Sequence, residues 1–180
     1  MNDPANFDNF VLNYQDMVYS TAFRLLGNEA EAEDVAQETF VRAWKHWAEL
    51  GDGTTAGGWL KTVTRNLCLN HLQRYRNRWT LFTDLRRSDD EESAEPEIVA
   101  PDDWEEATLT ADQRSILNAA IGALPKDQRV ALVLYHFEGL DYVAIAEQLK
   151  VSLGKVKTDI FRARAALRKK LQPLRETVGV

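Results

Sequence analysis

Lys155, Lys157, Arg162, Arg164, Arg168, Lys169 and Lys170 gather within one short stretch near the C-terminus. Cations at that density supply the charge that phosphates require, and so suggest nucleic-acid binding. A second candidate surface lies between Trp59 and Thr80. Its charged residues are Lys61, Arg65, Arg74, Arg76 and Arg78, with no acid among them, and Asn66, Asn70, Gln73 and Asn77 are interleaved. Amides can read base edges, arginines can hold phosphates, and nearby aromatics can stack on bases. Nothing points to catalysis. There is no glycine-rich phosphate loop, no nucleophile with a base beside it and no metal-ligand cluster, and His46, His71 and His136 are scattered and read as structural. Cys68 is the only cysteine, which excludes an intramolecular disulfide framework and a cysteine-based zinc site. No cofactor is expected.

These residues need elements to position them. Around the C-terminal cations, Asp141 can cap a short helix whose apolar face is Val143, Ala146 and Leu149. Lys150 and Val151 then make a turn, and Ser152 can cap a second helix. Along that helix Val156, Ile160, Ala163, Leu167 and Leu171 recur at three- and four-residue steps, forming one apolar stripe. This is helix-turn-helix grammar, in which the second helix offers its outer face to a DNA groove. Ahead of it, Ile116, Leu117, Ala120, Leu124, Val130, Val133, Leu134 and Phe137 predict two further helices, the second stopped near Gly139.

The same periodicity occupies the N-terminal part. Phe7, Phe10, Val11, Tyr14, Val18, Ala22, Leu25 and Leu26 predict a long helix closed by Gly27. Asn28 with Glu31 predicts the start of the next, whose buried stripe is Ala32, Val35, Ala36, Phe40, Ala43, Trp44 and Trp47. Gly51 to Gly58 reads as a flexible loop. A third helix is expected from near Trp59 to about Arg78, with Leu60, Val63, Leu67 and Leu72 toward the core.

Between the two helical parts the composition changes. From Leu81 to Thr110 eleven acids face only Arg86 and Arg87, so this segment carries −9 and the rest of the chain +3, although the total is −6. The distribution therefore matters more than the net charge. With Pro96, Pro101 and few large apolar residues, the segment reads as a flexible linker. Tethered between two basic surfaces, it is expected to compete with DNA for them in the free protein. The fold class expected is all-α, two small helical domains on an acidic tether. No run of about 18 apolar residues exists for membrane insertion, and MNDPANFDNF lacks the pattern of a secretory signal, so a soluble cytosolic protein is expected.

Taken together, the segments resemble an extracytoplasmic-function sigma factor, the compact two-domain class of bacterial sigma factors. The likeness rests on EAEDVAQETFVRAW (Glu31 to Trp44), GWLKTVTRNLCLNHLQRYR (Gly58 to Arg76) and LPKDQRVALVLYHFEGLDYVAIAEQLKVSLGKVKTDIFRARAAL (Leu124 to Leu167). It implies a sigma region 2 domain over residues 1–80, the linker over 81–110, and a sigma region 4 helix-turn-helix domain over 111–180. The implied partners are core RNA polymerase (its β′ clamp helices and β flap), promoter DNA and an anti-sigma factor. By this resemblance Asp34, Gln37, Glu38, Val41 and Arg42 are the contacts to the polymerase. Lys61, Arg65, Asn66, Asn70 and Arg74 face the −10 strand, and the loop from Ala48 to Gly58 receives a flipped base. Lys155, Lys157, Thr158, Phe161 and Arg162 read the −35 element. Asp159 departs from the basic residue common there and Lys155 from the usual small hydroxyl, so an atypical −35 preference or a slightly rotated helix is expected. Phe161 could reach the DNA or pack inward. A competing reading is a sigma mimic that titrates an anti-sigma factor without touching promoters.

Overall fold

Capping residues set the helix boundaries. Gly27 takes a left-handed φ of +66°, and its N–H closes on the Phe23 carbonyl at 2.7 Å, ending the first helix. The Asn28 side chain then accepts from the Glu31 N–H at 3.0 Å and starts the second. The structure, a computed structural model, describes residues 4–51, 54–83 and 110–177. Over these residues it is helical without a strand. The helices are α1 (Pro4–Leu26), α2 (Glu29–Lys45), α3 (Trp47–Leu50), α4 (Ala56–Thr83), α5 (Ala111–Gly122), α6 (Lys126–His136), α7 (Tyr142–Leu149) and α8 (Leu153–Thr177). They divide into two compact units, α1–α4 and α5–α8.

In the first unit α1 packs on both α2 and α4. Its core joins Phe10, Val18, Ala43, Trp47, Leu50, Ala56 and Leu60. Ring packing orders the open end, with Phe7 edge-on to Trp44 and Trp47 at 4.9 and 5.2 Å between centroids. The start of α4 approaches α1 so closely that a Cβ at Gly57 would lie 3.2 Å from the Tyr14 ring. Where α2 meets α4, the Thr39 and Thr64 hydroxyls lie 3.3 Å apart, fully buried. Each also has a backbone partner, the Val35 and Leu60 carbonyls, so neither is left unsatisfied.

Several expectations change here. The loop expected from Ala48 to Gly58 is much shorter, because α3 occupies its beginning and α4 starts at Ala56. Burial of Trp47, Leu50 and Ala56 draws both flanks into helical turns. Trp44 is 42% exposed, not part of the buried stripe, since Trp47 already fills the core position on the next helix. Among the α4 side chains described, the fully buried ones are Leu60, Thr64 and Cys68, while Val63, Leu67 and Leu72 flank them. Helix α4 runs to Thr83, past the expected start of the linker. The remaining linker, residues 84–109, and with it the expected competition with DNA, lies outside the described residues.

The second unit is built around α8, which packs against α5, α6 and α7. Thr110 opens α5 with a reciprocal capping box to Gln113. Asp141 caps α7 through the Ala144 N–H at 2.7 Å, and Ser152 caps α8 through the Lys155 N–H at 3.2 Å. Between them Lys150 adopts a left-handed φ of 55°, which makes the turn sharp. All five expected stripe residues of α8 are buried, Val156 and Ile160 almost completely. Burying each of the Val, Ile and Leu side chains contributes about 1.5–3 kcal/mol, which fixes the rotation of α8 about its axis. On α7 the buried residue is Ile145. Val143, expected inside, is 56% exposed, because two turns of helix can turn only a narrow face inward.

Candidate nucleic-acid interface

The rotation of α8 decides which side chains it can offer. With the stripe inward, Phe161 stands outward at 45% exposure, and Arg162 is exposed beside it. Lys157 and Thr158 are half-buried on the flank of that face. Phe161 therefore projects outward and does not pack into the core. Lys155 and Arg164, both counted among the phosphate-seeking cations, are directed elsewhere. The Lys155 ammonium bonds Asp159 Oδ2 at 2.8 Å and Asp127 Oδ2 at 3.1 Å. Burial opposes its charge, but the two carboxylates outweigh that and raise its pKa above the ordinary lysine value. Asp159 itself is buried. Its carboxylate is turned inward and paired with Lys155, away from the exposed side of α8.

Arg164 turns toward α6. Its Nε donates to His136 Nε2 at 3.1 Å, and its guanidinium lies 5.4 Å from the centre of the Tyr135 ring. Tyr135 in turn stacks on Tyr142 of α7 at 4.8 Å. Burial, and secondarily the adjacent Arg164 charge, push the His136 pKa down to about 4. The imidazole is thus a neutral acceptor at physiological pH. Sequence periodicity missed this cluster, because its members come from three helices. The one available signal was Arg164 following Ala163, one residue off the outward face.

On α4, Asn66, Asn70 and Arg74 are exposed at four-residue steps, on the side opposite buried Leu60, Thr64 and Cys68. Lys61 and Arg65 are half-buried along the flank. On α2, Asp34, Gln37, Glu38, Val41 and Arg42 are all exposed and share one face, where Arg42 Nε meets Glu38 Oε1 at 3.0 Å. An open groove of about 780 Å³ adjoins that face. It runs between α1 and α2, and Phe7, Val11, Tyr19, Phe40, Val41 and Trp44 give it an apolar floor. No group of histidine, cysteine or carboxylate side chains that could hold a metal occurs among the described residues. No described helix is long and apolar enough to cross a membrane.

Residues 10–78 match the family Sigma-70 region 2, and residues 114–167 match Sigma-70, region 4. The chain is 35% identical to the RNA polymerase sigma-H factor of Pseudomonas aeruginosa over 96% of this chain and 89% of that one. It is 31% identical to the ECF RNA polymerase sigma factor SigW of Bacillus subtilis over 96% and 92% of the respective lengths. The chain belongs to the extracytoplasmic-function sigma factors. Among solved structures, this sigma factor is similar to RpoE of Bartonella quintana in complex with the anti-sigma factor NepR. The TM-score is 0.47 at 24% identity, covering 92% of this chain and 96% of that one. A sigma factor is a transcription initiation factor and not an enzyme: it binds core RNA polymerase and directs it to promoter DNA.

Proposed function

We propose a division of labour among three faces of this sigma factor. The α2 face of Asp34, Gln37, Glu38, Val41 and Arg42 binds the β′ clamp helices. The α4 row of Asn66, Asn70 and Arg74, flanked by Lys61 and Arg65, engages the −10 strand as it opens. Lys157, Thr158, Phe161 and Arg162 on α8 read the −35 element, and the second unit meets the β flap. On this reading the chain up to the end of α4 at Thr83 forms the polymerase and −10 domain, residues 84–109 the linker, and the chain from the Thr110 cap onward the −35 domain. The protein acts in the cytoplasm, where an anti-sigma factor restrains it. The observation that carries the proposal is the outward pair Phe161 and Arg162 on a helix whose rotation is locked by five buried residues. A rigid helix with an exposed aromatic and a guanidinium can contact a thymine methyl and a guanine edge in the major groove.

Run-off transcription with core polymerase on a randomised promoter library tests it. Arg162→Ala should cost about 1–3 kcal/mol, only on promoters with an intact −35 element. Asn66→Ala should impair opening at −10 and recover on a template with a pre-melted bubble. Equal losses on every template would reject the division. Asp34→Ala with Gln37→Ala should weaken core binding in a pull-down titration while circular dichroism stays unchanged. Undiminished affinity would remove α2 from the polymerase interface.

A further inference from the structure

Lys155, at the start of α8, is held by two carboxylates at once. Of the three N–H donors on an ammonium, two are taken by Asp159 and Asp127. The partners differ in weight. The Asp127 carboxylate is 68% exposed and its pairing is screened, whereas that of Asp159 is only 12% exposed. A nearly buried carboxylate left unpaired is costly, and it takes the nearest available cation. On a helix, neighbours lie three and four residues away. For Asp159 these are Lys155 and Val156 on one side, Arg162 and Ala163 on the other. If Lys155 were not there, the cation within reach on the same helix would be Arg162, the exposed guanidinium assigned to base reading.

We propose that Lys155 is a positioning residue for promoter recognition: by occupying Asp159 it keeps Arg162 directed at the DNA. Its bond to Asp127 adds a light tie between the first turns of α8 and α6. This rests on the reading of α8 as the −35 helix. It also gives the Lys155–Asp159 pair a shared role, so that neither departure from the common family residues is independent of the other.

The test uses holoenzyme assembled from core polymerase and the full chain. Its affinity is measured, at several salt concentrations, for a promoter selected in run-off transcription and for the same fragment with a scrambled −35 element. Lys155→Met should reduce the preference for the intact element about tenfold, a loss within the range of one base contact. Lys155→Met with Asp159→Asn should restore it to within about threefold of native, since no buried carboxylate then competes for Arg162. Lys155→Arg should retain the preference, and Asp127→Asn should change it less than about twofold. Melting curves of each variant separate these effects from loss of fold, because a merely destabilised α8 would lower affinity for both fragments together. If the double variant stays as poor as Lys155→Met, and its log–log salt dependence is shallower by about 0.9, Lys155 is a direct phosphate contact and the proposal is overturned. A native holoenzyme indifferent to scrambling would instead overturn the reading of α8, and this proposal with it.

Discussion

Acid should loosen the second unit through His136, by an amount the structure allows to be worked out. Burial and the adjacent Arg164 lower its pKa from 6.5 to about 4. Above pH 6.5 the imidazole is neutral in both folded and unfolded chains, so it contributes no pH dependence. Between pH 6.5 and about 4 the unfolded chain takes up a proton that the folded chain refuses, and stability falls across that window. Below it both states are protonated and the loss stops growing. The full difference would correspond to about 3 kcal/mol. The imidazole is only half-buried, and screening by water reduces the expected loss to about 1–2 kcal/mol. Urea unfolding at pH 7, 6, 5 and 4.5, followed by amide resonances of α6 and α8, measures it. The comparison is His136→Gln, whose side-chain carbonyl can accept from Arg164 but does not titrate. The native chain should lose about 1–2 kcal/mol more than the variant between pH 7 and 4.5. Parallel curves, or an imidazole that titrates near 6.5 by NMR, would refute the reasoning.

Two further substitutions address the scaffold. Leu60 is fully buried among Phe10, Val18, Ala43 and Trp47, so Leu60→Ala should cost about 2–5 kcal/mol in denaturant unfolding of the first unit. Asp141→Ala removes the cap on the Ala144 N–H and should cost about 1 kcal/mol by the same measure in the second unit, with Asp141→Asn restoring most of it.

Much of this architecture is legible in the sequence because its signals are local. The Asn28, Asp141 and Ser152 caps act within three residues, and the α8 stripe repeats over nearly the whole helix. Local signals fail where a distant partner decides. Nothing near Lys155 announces Asp127, 28 residues earlier, and nothing near Arg164 announces His136, also 28 residues earlier. In both cases a surface cation proved to be tied to another helix. The glycine-rich segment misled in the opposite way. Gly57 signals permissive backbone, yet its lack of a side chain serves close approach to Tyr14, and the flanking Trp47 and Leu50 are pulled into the core. The polar rows of α2 and α4 were readable as faces, since exposure there follows directly from burial on the other side.

The groove between α1 and α2 has a consequence for the chain before it meets any partner. Val41 and Trp44, both more than 40% exposed, extend its apolar floor into solvent. Apolar surface of this kind drives self-association when nothing covers it. Repulsion between chains of net charge −6 opposes this at neutral pH, but that protection vanishes near pH 5.1, where the charges balance. Solubility of the isolated protein should therefore fall with acidification and with surplus synthesis. Cells that make more of it than they have partners for would be left with the molecules most prone to clump, and so most open to clearance by chaperones and proteases.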